Sequence, residues 1–155
     1  MDRMRQSLFS ILGDLTGCSF LDLFSGSGII AIEAASRGAD PVVLVEKDPR
    51  KRGILLANVA FVEARVEVLT MPVERFLSKD LRTFDYAFLD PPFAFEGKTS
   101  VLDGVAGHLA PGGIAMMHLH RAEPLETVRP GLEEIDRREY GQSQVVFWRK
   151  TAPGA

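Results

Sequence analysis

The chain has 155 residues, enough for one domain with a real core and too few for two ordinary ones. A content of 46% hydrophobic and 25% charged residues argues against disorder, and no apolar run reaches the ~18 residues of a membrane span. The net charge of −3, from 18 basic and 21 acidic residues, argues against a nucleic-acid binder held mainly by bulk electrostatics.

In chain order the pattern alternates between helix and strand. Residues 2–12 read as a short amphipathic helix ended by Gly13, and residues 19–24 (SFLDLF) as a first strand. A helix over 27–37 stops at Gly38. VVLVE, 42–46, is a continuous apolar run of the kind buried on both faces of a parallel sheet. Pro49 suits the first turn of a helix reaching about residue 60. A third strand is expected at 66–69, a helix at 72–78, a fourth strand at 84–90 (FDYAFLD) and a helix at 99–109. Pro111-Gly112-Gly113 then turns into a fifth strand, 114–118.

The last third changes character. After a helix expected at 124–128, residues 132–140 and 144–150 read as two strands joined through Gly141, and so short a connection makes them antiparallel. The expected fold is α/β, a mostly parallel, doubly wound seven-stranded sheet finished by an antiparallel hairpin. Residues 1–150 form one domain, with a frayed tail at 151–155. Trp148 is expected to pack inside the hairpin. MDRMRQSLF lacks the apolar core and small-residue cleavage site of a secretion signal, and Cys18 has no partner for an internal disulfide. A cytoplasmic location follows as an expectation.

LDLFSGSGIIAIEA, residues 21–34, carries the first chemical signal. Gly26, Gly28 and Ala31 fit the spacing G-x-G-x-x-G/A of a dinucleotide site, and Glu46 ends the second strand, where a carboxylate can accept from both ribose hydroxyls. Both features leave a nicotinamide cofactor open. Asp22 shifts the balance. A carboxylate beside the turn would repel a pyrophosphate, whereas S-adenosylmethionine carries an ammonium and a sulfonium and no phosphate.

Asp90-Pro91-Pro92-Phe93 supplies the second signal at the end of the fourth strand. Two prolines stiffen the loop and remove two amide donors. What remains is the Asp90 carboxylate, the Pro91 carbonyl and an aromatic ring. That set suits methylation of an amino group on a planar ring. Two acceptors hold its N–H groups and offset the charge growing on nitrogen, and Phe93 stacks on the ring. The target amine could belong to guanine, to adenine in DNA or RNA, or to a glutamine side chain; a donor-binding module without turnover is a further reading. His118 and His120 alternate along a strand, but no third ligand accompanies them, so no metal site is expected.

DLFSGSGIIAIEAASRGA, VVLVEKD, FDYAFLDPPF and EYGQSQVVFWRK together resemble the bacterial ribosomal RNA methyltransferases of the RsmD type over residues 2–150. The resemblance implies a Rossmann-like class I methyltransferase fold, S-adenosylmethionine as cofactor, and ribosomal RNA or the small ribosomal subunit as partner. It also implies the exocyclic 2-amino group of a guanine as target. By that likeness Asp22 and the turn Phe24-Ser25-Gly26-Ser27-Gly28 hold the methionine end, and Glu46 with Lys47 the ribose. The segment Thr70 to Val73, with Met71 and Pro72, flanks the adenine, Asp90 also touches the cofactor, Asp90, Pro91, Pro92 and Phe93 hold the guanine, and Arg3, Arg5 and Phe93 meet RNA. Three departures stand out. Met71-Pro72 replaces the acidic or polar residue usual near that point. DRMRQSLFSIL begins the chain here, without the family's preceding basic hairpin. His118 stands where the family tends to carry glutamate.

Overall fold

A computed structural model describes residues 2–126 and 128–152. Strands β1 (Phe20–Leu23), β2 (Val42–Glu46), β3 (Val66–Thr70), β4 (Phe84–Leu89), β5 (Leu109–His120), β6 (Leu132–Tyr140) and β7 (Ser143–Lys150) form one sheet, ordered β3-β2-β1-β4-β5-β7-β6. The first five run parallel, and β7 lies antiparallel between β5 and β6. Helices α1 (Asp2–Leu12), α2 (Ile29–Ser36), α3 (Arg52–Val59), α4 (Val73–Lys79) and α5 (Lys98–Ala106) complete the fold, with a 3-10 turn at Pro49–Lys51. Among the described residues no helix is long and apolar enough to cross a membrane.

The period of two in the strands divides the core between the two faces. Phe20, Val42, Leu44 and Phe88 pack with Leu8, Phe9, Ala31 and Leu55 on the side of α1, α2 and α3. Leu21, Leu23, Val43 and Val45 pack with Phe76, Leu102 and Val105, from α4 and α5, on the other. All five residues of β2 are buried, as the unbroken apolar run predicts. Trp148 is fully buried in the second of these clusters.

Two sequence expectations fail. Strand β5 does not begin after Pro111-Gly112-Gly113 but runs through it, with Leu109 already paired to Phe84 and a register shift before Tyr86. Glycine permits this irregularity: a Cβ on Gly113 would stand 2.8 Å from the Ala110 carbonyl and 3.1 Å from that of Phe84. The helix expected at 124–128 is absent among the described residues, with residue 127 outside them. Tertiary anchors hold the segment in an open course. Glu123 pairs with Lys98, Leu125 packs on the core, and Arg129 grips Asp103 through two bonds of 2.9 and 2.6 Å. Of the tail expected to fray, Thr151 donates its amide to Gly131, and residues 153–155 lie outside the described residues.

Strand β1 is the switch point: the chain builds β2 and β3 to one side of it, then β4 and β5 to the other. Ligand crevices open beyond the carboxyl ends of strands at such a point. Here the ladder continues past the strand ends, through Ser25 N–H to Val45 O, Met71 N–H to Glu46 O and Asp90 N–H to Leu23 O. Residues 25, 46, 71 and 90 are thereby fixed along one edge.

Candidate active site

A cavity of about 700 Å³ lies along that edge, within the size range of small-molecule sites. Of the donor residues expected from sequence, Phe24, Gly26, Glu46, Lys47, Pro72 and Asp90 line it, together with Pro91, Pro92 and Phe93. Glu46 is almost fully buried, and its carboxylate is fixed from both sides. Oε1 accepts the Gly26 amide at 2.9 Å, and Oε2 accepts the Asp48 amide at 2.9 Å. Each oxygen keeps a further lone pair, so the carboxylate can still take two hydroxyl donors.

Other expected residues do not line the cavity. Asp22 is buried, 1% exposed, and its Oδ2 has no hydrogen-bond partner among the described residues. Burial, and then the charge of Asp90, push its pKa from 3.8 up to about 8, with a smaller contribution from Glu46. Ser25 is buried and bonds the Asp22 carbonyl at 2.7 Å. Gly28 takes the tight turn expected of it, with φ 81° at the start of α2, and a Cβ there would also meet Leu55 and Leu44 at 3.0 and 3.2 Å. Ser27 is exposed and offers its carbonyl to Asn58. Met71 packs against the core. Arg3 and Arg5 sit on α1 and line neither cavity beside Asp90, and Arg5 lies 4.0 Å from Glu33.

Val73, from the segment expected beside the adenine, lines the cavity too; the sequence reading missed Asp48, Lys51, Glu74 and Phe95, which also line it. Glu74 matters most. It stands in the first turn of α4 and adds a carboxylate to the cavity lining two residues past Pro72. Phe24 is the only non-glycine residue with positive φ among the described residues, at 62°, an uncommon conformation for a bulky side chain and one that stores strain. Its ring meets Phe95 edge-on at 5.2 Å.

A second cavity, of about 350 Å³, adjoins the first. The two share Asp90, Pro91 and Phe93 as lining. His118, His120 and Glu123 line the second, with Tyr140, Gln142 and Ser143 from the β6–β7 turn. The EYGQS segment was a family signature in the sequence; in space it walls the site. His118 Nδ1 lies 3.1 Å from Asp90 Oδ1, and the His120 ring stands edge-on to Phe93 at 5.5 Å. Among the described residues no three His, Cys, Asp or Glu side chains are grouped to hold a metal ion.

The geometry therefore offers two chambers joined at a rigid acceptor-rich loop. One has a buried carboxyl beneath it and a fixed carboxylate in its wall. The other is flanked by aromatic and imidazole rings.

Known proteins share this arrangement of chain. The family model described as "Conserved hypothetical protein 95" matches residues 1–149. YlbH of Bacillus subtilis, named as a candidate rRNA methyltransferase, is 30% identical over 159 residues, covering 96% of this chain and 85% of its own. The ribosomal RNA small subunit methyltransferase D of Escherichia coli is 34% identical over 94 residues, 59% of this chain and 48% of that enzyme. Among solved structures, the candidate methyltransferase YhhF of Escherichia coli superposes with a TM-score of 0.90 at 26% identity, covering 98% of this chain and 88% of that one.

Proposed function

The chain belongs to the Conserved hypothetical protein 95 family, the RsmD-type methyltransferases, and on that premise we propose that it methylates the 2-amino group of a guanine in small-subunit ribosomal RNA, using S-adenosylmethionine. The observation that carries the reading is the shared wall. Asp90, Pro91 and Phe93 border both chambers, so a donor in one and a planar base in the other would meet at the Asp90 carboxylate.

The residues present fit the donor. The orphaned Oδ2 of Asp22 suits an ammonium, which would draw this carboxyl back to its charged form. The free lone pairs of Glu46 suit a pair of ribose hydroxyls, and Glu74 an exocyclic amine. S-adenosylmethionine, when bound, supplies a methyl group on a positively charged sulfur. The protein's share is positioning and charge. The Asp90 carboxylate and the Pro91 carbonyl accept the two N–H groups of the target amine. This frees its lone pair from the ring, and Asp90 or water takes the proton released on transfer. Phe93, 72% exposed, offers a face for stacking.

The test is transfer of a labelled methyl group to small ribosomal subunits lacking the guanine modification, with Asp90→Ala as control. Label at one guanine amine, lost in the variant, supports the reading. Label on an adenine or on a protein amide keeps the chemistry and replaces the substrate. No label, despite saturable donor binding, removes the ribosomal assignment.

A further inference from the structure

Lys98 is the first residue of α5, where a cation is disfavoured, because the helix N-terminus is the positive end of its dipole. No acidic residue stands in the first turn, and the Gly97 cap has no side chain to bond. The residue is nevertheless only 7% exposed. Burying an ammonium is costly unless its donors are satisfied and its charge is paired. Here Nζ bonds the Phe93 carbonyl at 2.9 Å and the Phe95 carbonyl at 2.8 Å, and it forms an ion pair with Glu123 Oε1 at 3.0 Å. Two of the three N–H donors of the ammonium thus have carbonyl acceptors, and the Glu123 carboxylate offsets its charge.

Both of those acceptors are main-chain carbonyls of the loop that follows Pro91-Pro92. That loop has little else to hold its backbone: the prolines donate nothing, and Phe95 N–H closes a single turn onto Pro92 O. Its two rings point to different tasks. Phe95 is wedged against Phe24 in the donor cavity, whereas Phe93 projects into solvent with one edge against His120. An exposed ring on a loop samples many orientations unless the backbone beneath it is fixed. Glu123 in turn belongs to the irregular segment after β5, so the same ammonium ties two stretches of irregular chain together.

We propose that Lys98, with Glu123 as its counter-ion, is a positioning residue that clamps the Phe93–Phe95 loop and so presents Phe93 to the target base. The proposal rests on the reading of the site as an amino-methyltransferase. Its test therefore has one arm that needs no turnover. Hydrogen–deuterium exchange of the amides of residues 93–97 is compared in the wild type, Lys98→Met and Lys98→Arg. Exchange is expected to quicken at least about tenfold in Lys98→Met, locally, with Lys98→Arg partly restoring it. In the transfer assay kcat of Lys98→Met is expected to fall at least about tenfold while donor KM stays within about twofold.

A folded Lys98→Met protein with unchanged exchange, or with raised exchange and unchanged kcat, overturns the proposal. Where Lys98→Met does not fold, Glu123→Ala carries the same comparison, and unchanged exchange there overturns it equally. Raised exchange in a protein that methylates no RNA upholds the clamp and removes the functional reading instead.

Discussion

His118 Nδ1 stands 3.1 Å from Asp90 Oδ1, on the chamber side of the motif loop. A carboxylate only accepts, so Nδ1 carries the shared proton, and the ring fixes the direction in which Asp90 presents its other oxygen. A glutamate here, usual in the family by resemblance, would repel Asp90; the histidine attracts it. His118→Leu is expected to lower kcat about tenfold with donor affinity unchanged, and His118→Asn, which keeps a donor, to recover most of it. A His118→Leu enzyme as fast as the wild type would show that Asp90 needs no such support.

Asp22 gives the protein a pH signature. Its carboxyl is pushed up to about 8, first by burial and then by Asp90. Between pH ~4 and ~8 the folded chain therefore holds a proton that the unfolded chain has released. The contribution to stability is complete below about pH 4 and is lost as pH climbs to about 8. Urea melts of the wild type should show declining stability across that window, and Asp22→Asn a flatter profile. Parallel profiles would remove the assignment.

The same linkage reaches ligand binding. A bound ammonium favours the charged carboxylate, so donor binding near neutral pH should expel about one proton. Calorimetry in two buffers of different ionisation enthalpy measures it, and Asp22→Asn should expel none.

Glu46 carries two roles that one substitution can separate. Its oxygens each take a backbone amide, and their remaining lone pairs face the donor cavity. Charge-assisted bonds of this kind contribute roughly 1.5–3 kcal/mol each. Glu46→Ala should raise the donor dissociation constant about a hundredfold or more and also lower stability by about 2 kcal/mol. Equilibrium binding and denaturant melts read the two effects separately; full affinity in the variant would take the ribose role away from Glu46.

His108 is structural. It is 6% exposed, with Nδ1 2.8 Å from the Arg82 carbonyl and Nε2 2.8 Å from that of Leu77. It thus ties the end of α4 and the start of β4 to the turn before β5. His108→Leu leaves the carbonyl that accepts its N–H without a partner and should cost about 2 kcal/mol or more. Activity per folded molecule should persist. A kcat loss at full stability would contradict this.

The alternation of elements was legible because buried parallel strands such as VVLVE are short, rich in β-branched residues and bounded by prolines at 41 and 49. Glu46 and the DPPF loop were legible because glycine and proline spacing dictates backbone shape. What escaped depends on contacts across the chain. Residues 124–128 have a helical pattern, but those of them that are described, 124–126 and 128, are not helical, and Glu123, Leu125 and Arg129 bind elsewhere. Glu74 and the EYGQS turn reach the site only once the sheet is assembled. No local pattern announces that β7 inserts between β5 and β6. Gly28 was legible as a turn glycine, and its φ is 81°; the side chains it must also clear were not, since they belong to β2 and α3.

The central pairing of β1 with β4 has a temporal consequence. Ser19 bonds Asp85 across a separation of 66 positions, and both chambers beside Asp90 wait on that junction. Pairings so distant along the chain form slowly, because loop closure precedes any gain from contact. A nascent chain that has not yet delivered β4 has no complete donor pocket, however well β1 and β2 are made. The donor then binds only the finished arrangement and stabilises it by mass action. Donor concentration thus acts on the yield of folded protein as well as on its rate.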